Sequence, residues 1–183
     1  MIRLLGISGS LRTASYNTAL LRAAMALVPE GVELSMASLH GIPLYDGDLE
    51  LQGIPKAVSA LKERIIASDG VILATPEYNA SMPGVMKNAF DWLSRPPEDM
   101  ARVFADRPFA LMGASPGGLG TVLAQNAWLP VIKAVGARLW VGGRLAASRV
   151  QQSIGEDGTM VDAALNGQLK SFVEGFARYV ERA

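Results

Sequence analysis

Ser8, Ser10, Arg12, Ser15 and Asn17 fall in the stretch GISGSLRTASYN, residues 6 to 17, interleaved with Gly6 and Gly9. Hydroxyls, a carboxamide and a guanidinium are hydrogen-bond donors for an oxyanion, and the planar fork of arginine matches a phosphate. The stretch leaves an apolar run and enters a helical pattern, so unpaired backbone N–H groups and the positive end of a helix dipole serve the same anion. Ser15 or Asn17 can equally cap that helix, and a cap and a phosphate ligand can be one group. No lysine followed by Ser or Thr closes the loop, and G-x-G-x-x-G is absent. The chemistry is therefore that of a terminal monophosphate held without a metal, rather than of a nucleoside triphosphate or a dinucleotide.

Two further stretches have the same strand-to-helix placement. In TPEYNASMPG, Thr75 to Gly84, Pro76 stiffens the chain, Tyr78 offers an aromatic face and Asn79 tolerates unusual backbone angles. A flat heterocycle could rest there, although Pro and Asn also mark ordinary turns. In GASPGGLGT, Gly113 to Thr121, four glycines allow the backbone to approach the polar edge of a ring, or simply make a flexible connector.

The elements that must position these loops follow from periodicity. Apolar runs at Ile2–Ile7, Val32–Ala37, Val71–Thr75, Phe109–Ala114 and Leu139–Val141 read as strands. Helical spacing covers Asn17–Val28, a helix opened by Pro55 with Val58, Leu61, Ile65 and Ile66 inside, and a helix from Ser81 or Pro83 carrying Met86, Ala89, Phe90 and Leu93. It resumes over Gly118–Val135, with a break or kink expected at Pro130, and over Val161–Val180. Five strands alternating with five helices give a parallel sheet covered on both faces, a three-layer doubly wound α/β fold. Ligands in such folds gather beyond the carboxyl ends of the strands, where the three loops lie.

Length and composition set the outer limits. The 183 residues fit one domain, 1–183, and Lys plus Arg balance Asp plus Glu at 17 each. A zero net charge gives no field to draw nucleic acid. No apolar run approaches the roughly 20 residues of a membrane-spanning helix. Met1-Ile2-Arg3 leads straight into a strand, so no secretory signal is expected, and with no cysteine a cytoplasmic location fits.

Taken together, GSLRTASYN, TPEYNASMPGVMKNAFDW and GASPGGLGT closely resemble the NADPH-dependent FMN reductase family, the group that includes bacterial quinone and chromate reductases. The resemblance spans nearly the whole chain. It implies a flavodoxin-like three-layer α/β/α sandwich with a five-stranded parallel sheet in the order 2-1-3-4-5. It also implies non-covalent FMN, with the phosphate at Ser10, Arg12, Ser15, Tyr16 and Asn17 and the ring along Pro76, Glu77, Tyr78 and Asn79. Ser115, Gly117 and Gly118 would line the remaining edge, where Pro116 removes one N–H donor. The implied reaction is ping-pong: NADPH or NADH passes hydride to flavin N5, and a small acceptor such as a quinone, free flavin or metal oxyanion then takes its place. No side-chain nucleophile is needed. Members of the family form homodimers or homotetramers with the flavin site near the interface.

Other residues weigh toward structure. Glu77 is expected to pair with a basic residue rather than act as acid or base. His40 reads as a loop residue and not a metal ligand. Met86 and Phe90 read as core or interface, while Trp92, off their stripe, could join Arg95-Pro96-Pro97 in a subunit contact. Lys87, Asp91 and the charges from Glu98 to Arg107 read as solvated surface or as partners in interface pairs, and Arg95 is a candidate clamp for a 2′-phosphate. Two alternatives stay open: a flavodoxin-type electron carrier with protein partners, whose usual acidic surface is missing, and a phosphate-binding regulatory module.

Overall fold

The structure is a computed structural model that describes residues 1–155 and 157–183. Its chain order is β1 (Ile2–Ser8), α1 (Tyr16–Met25), β2 (Val32–Ala37), α2 (Gly47–Leu51), α3 (Lys56–Ile66), β3 (Gly70–Ala74), α4 (Gly84–Leu93), α5 (Pro97–Phe104), β4 (Pro108–Ala114), α6 (Val122–Ala134), β5 (Arg138–Leu139), β6 (Leu145–Ala147) and α7 (Ala163–Glu181). All strand pairs are parallel, in the order β2-β1-β3-β4-β5, with β6 also on β4.

Successive residues of a strand point to opposite faces, and the two faces of this sheet bury two cores. Leu4, Ile72, Ala110 and Met112 join α1 and α7 on one side. Leu5, Ile7, Val71, Leu73, Phe109 and Leu111 join α3, α4, α5 and α6 on the other. Strands apolar on both faces are what a sheet covered on both sides requires. The three-layer architecture and strand order expected from sequence are therefore present.

The edge of the sheet departs from expectation. Instead of one fifth strand over Leu139–Val141, two short segments share it: Arg138–Leu139 against Pro108–Phe109, and Leu145–Ala147 against Met112–Ala114. Val141 lies 83% exposed outside the ladder. Gly142 and Gly143, packed on the Trp140 indole, form the detour. Pro130 does not break α6, which runs continuously from Val122 to Ala134. Pro130 is exposed, as is Asn126 one turn back, the residue whose carbonyl loses its helical partner to the proline.

Two helices were not read from the sequence. α2 follows Asp46, whose side chain accepts from the Asp48 N–H. α5 occupies the charged region read as solvated surface, yet its Val103 and Phe104 are completely buried. Trp92 is likewise buried rather than placed at a subunit contact. Its Nε1 donates to the Pro43 carbonyl at 2.9 Å and its ring meets Tyr45 edge-on at 5.0 Å. The segment between β2 and α3 covers that flank of α4, which helical periodicity alone leaves bare.

Candidate active site at the carboxyl ends of the strands

The register brings the ends of β1, β3 and β4 to one edge of the sheet, with Ser8 beside Ala74 and Ala74 beside Met112. In the first loop, the Ser10 N–H donates to Ser8 Oγ at 3.4 Å and the Arg12 N–H to Ser10 Oγ at 3.3 Å. Such side-chain bonds curl a loop without secondary structure. Ser15 is the N-cap of α1, its Oγ accepting from the Thr18 N–H at 3.2 Å. The N–H groups of Tyr16 and Asn17 take no acceptor among the described residues and sit at the positive end of a ten-residue helix. Arg12 is exposed and makes no ion pair among the described residues.

Asn17 has a use that spacing does not reveal. Its Nδ2 donates to the Ala114 carbonyl and its Oδ1 accepts from the Ala114 N–H, both at 2.9 Å. The partner of Ala74 is Met112, so Ala114 extends past the end of β3. The carboxamide replaces the missing strand and satisfies a buried peptide. It is thereby turned from the loop, leaving the backbone N–H of Asn17 as its donor toward an anion.

Gly9 joins the first two loops. A Cβ there would lie 2.8 Å from Pro76 Cδ and 2.9 Å from Pro83 Cγ. Thr75, fully buried, donates from Oγ1 to the Pro76 carbonyl at 3.0 Å and accepts from Trp128 Nε1 at 3.1 Å. Tyr78 and Ser81 then exchange two backbone hydrogen bonds around Asn79 and Ala80, whose φ values are 50° and 60°. This tight turn presents Tyr78, 44% exposed, beside the first loop.

The third loop is less free than its glycines imply. A Cβ on Gly113 would come within 2.2 Å of the Thr75 carbonyl oxygen, and one on Gly120, at φ 60°, within 2.6 Å of the Ala146 carbonyl oxygen. Ser115 Oγ accepts from the Gly117 N–H at 3.0 Å. The Arg149 N–H donates to the Gly117 carbonyl and the Val150 N–H to the Ser115 carbonyl, so the chain after β6 holds the loop. Gly118 alone faces open space.

Residues of all three loops line one cavity of about 90 Å³: Ser10, Arg12, Ser15, Tyr16, Asn17, Pro76, Glu77, Tyr78 and Ser115, with Ala114 and Pro116. Asn79, Gly117 and Gly118 lie outside its lining. A water occupies about 30 Å³, so this cavity has room for a small oxyanion and not for a planar heterocycle.

The structure gives Glu77 a partner other than a base. Its Oε2 accepts from the Leu123 and Ala124 N–H groups at 2.9 and 3.2 Å, capping α6. Arg95, the candidate phosphate clamp, is engaged instead through Nε with Glu50, at 2.9 and 3.1 Å. The Arg95 and Tyr45 hydrogen bonds hold the Glu50 carboxyl below its ordinary range. Lys62, a buried cation the helical reading missed, pairs with Asp99 at 3.0 Å and lowers that carboxyl too. His40 is an exposed loop residue with Nδ1 2.8 Å from Ser38 Oγ.

The family model for NADPH-dependent FMN reductase matches residues 2–152. An NAD(P)H-dependent FMN reductase of Pseudomonas aeruginosa is 52% identical over 124 residues, 68% of this chain and 65% of that protein. A 2-hydroxy-1,4-benzoquinone reductase of a Burkholderia species is 33% identical over 95% of this chain and 93% of its own. Among solved structures, the flavoenzyme NAD(P)H:(acceptor) oxidoreductase FerB of Paracoccus denitrificans superposes with a TM-score of 0.86 and 31% identity, covering 100% of this chain and 98% of the other. Each is described as a reductase or oxidoreductase, which disfavours the electron-carrier alternative. With its loops, sheet order and relatives in agreement, the chain belongs to the NADPH-dependent FMN reductase family, flavoenzymes that couple FMN to NAD(P)H.

Proposed function

We propose that the whole chain, as one domain, holds FMN across the three loops and reduces quinones at the expense of NADPH or NADH. The convergence of the first, second and third loops on one cavity carries this reading. The residues fit the group. Arg12, the Ser10 hydroxyl and the free N–H groups of Tyr16 and Asn17 supply cationic and neutral donors for a phosphate dianion. Pro76, Tyr78 and Asn79 offer a stiff, partly exposed platform for the ring, with Ser115, Gly117 and Gly118 at its far edge.

FMN, when bound, supplies the redox chemistry, accepting hydride from the nicotinamide and delivering electrons to the acceptor. The chain supplies position. Glu77 fixes the second loop to α6, Asn17 fixes α1 to β4, and Thr75 ties the second loop to Trp128, so the loops form one rigid frame. A preorganised frame lowers the ordering cost of binding. The quinone acceptor is inferred from the described activity of the Burkholderia relative.

The protein acts as a homodimer or homotetramer in this reading. Leu119, Val122, Leu123 and Leu129 leave apolar surface exposed beside the site, along and just before α6. A cytoplasmic location belongs to the same reading, because the donor is a soluble intracellular cofactor. The test is to mix protein, FMN, NADPH and 1,4-benzoquinone and follow loss of reduced nicotinamide. FMN-dependent turnover is expected; no turnover with any quinone would contradict the proposal.

A further inference from the structure

A second cavity lies elsewhere, between α7 and the detour that splits β5 from β6, with a volume of about 800 Å³. Trp140, Phe172 and Tyr179 give it aromatic walls, with the Trp140 and Phe172 ring centroids 5.4 Å apart. Glycines close the backbone around the indole: a Cβ on Gly142 or Gly143 would approach it to 2.5 Å, and one on Gly175 to 2.9 Å. The indole N–H groups of Trp92 and Trp128 both have acceptors, whereas that of Trp140 has none among the described residues.

Arg144, Arg178 and Arg182 line this cavity, and among the described residues no Asp or Glu does. Arg144 is oriented from α6 by neutral partners, Nε on Gln125 Oε1 at 3.0 Å and Nη2 on Asn126 Oδ1 at 3.1 Å. Arg178 and Arg182 stand one turn apart at the end of α7, with no ion pair among the described residues. Glu174 and Glu181 lie toward a neighbouring cavity that Arg178 also borders, and Glu174 is within 4.0 Å of Lys170. Cations at a helix C-terminus complement its dipole, but that accounts for neither Arg144 nor the missing carboxylates. A chain of zero net charge has concentrated one sign here.

We propose that this cavity is a second binding site, for a planar ring that carries a phosphate dianion and has the size of a mononucleotide. Its volume lies within the range of small-molecule sites, about 300–1,000 Å³. Guanidinium groups one turn apart suit a dianion, and the aromatic wall suits a ring. A two-fold contact with a second copy would set these cations against themselves, which disfavours self-association here. The inference does not depend on the flavin reading.

Trp140 lines this cavity while Trp92 and Trp128 are fully buried elsewhere, so the part of an emission change that Trp140→Phe abolishes reports on this cavity. The experiment takes protein carrying one FMN per chain, with no free FMN, and titrates it with AMP, and separately with adenosine and with inorganic phosphate, following that emission in the wild type and in Trp140→Phe. A saturable change is expected with AMP at millimolar concentration or below, and much weaker responses with either fragment. The R178Q/R182Q protein should bind AMP roughly tenfold or more weakly, since each lost charge-assisted bond is worth about a factor of ten. Its FMN affinity and nicotinamide oxidation should be unchanged. The proposal is overturned if AMP leaves the emission unaltered, if adenosine matches AMP, or if R178Q/R182Q responds as the wild type.

Discussion

The side chain of Asn17 pairs with the peptide of Ala114, donating and accepting at 2.9 Å, and so joins the helix after the first loop to the strand before the third. Asn17 is 3% exposed, so neither Ala114 group can turn to water once the carboxamide is gone. Asn17→Ala is expected to destabilise the fold by about 2–4 kcal/mol, two orphaned groups together, and to weaken FMN binding. Denaturant unfolding with and without FMN measures both.

Glu77 sits beside the first loop yet serves as a helix cap. Glu77→Ala should cost about 1–2 kcal/mol of stability, and Glu77→Gln less, because an amide oxygen still accepts from Leu123 and Ala124. Neither should add or remove a limb in the pH dependence of kcat. A lost limb would mean that the carboxylate transfers a proton.

Two glycines of the third loop should behave oppositely. Gly113→Ala forces a methyl group against the Thr75 carbonyl and Thr121, neither of which can retreat cheaply, and should cost about 3 kcal/mol. Gly118→Ala faces open space and should stay within about 0.5 kcal/mol of wild type. Thermal unfolding separates them.

Acid should act through Glu50 and Asp99, whose carboxyls are lowered in the fold by Arg95 with Tyr45 and by Lys62. A depressed folded value means stabilisation that is complete above the ordinary carboxylate range and lost as pH falls through it toward the folded value. Stability of the wild type should therefore fall on acidification below about pH 5. The E50Q/D99N protein, weaker at neutral pH, should show a flatter acid limb. Equal slopes would contradict this assignment.

What the sequence disclosed and what it withheld follow one physical division. Both-face apolar strands and strand-to-helix loops are local patterns, so the parallel three-layer sheet and the three loops were legible from runs such as Val71–Ala74, while the strand order came from the family resemblance. Pairings set by stagger or distance were not. The Asn17–Ala114 pair depends on β4 outrunning β3, and Arg95 meets a Glu50 that is 45 positions away. α5 did carry a local signal, Pro97 at its first position with Glu98 and Asp99 in the first turn, but the charges around it read as surface. The Gly142-Gly143 pair likewise marked the break in the edge strand without saying which side of Trp140 the chain would take.

Titration of the wild type and the S10A/R12A protein with FMN, read by quenching of flavin fluorescence, tests the central claim most directly. Saturable binding at one FMN per chain is expected, with affinity roughly tenfold or more weaker in S10A/R12A and nearly unchanged folded stability. Flavin fluorescence that does not respond to the wild type, or responds equally to both proteins, would contradict a phosphate seat in the first loop.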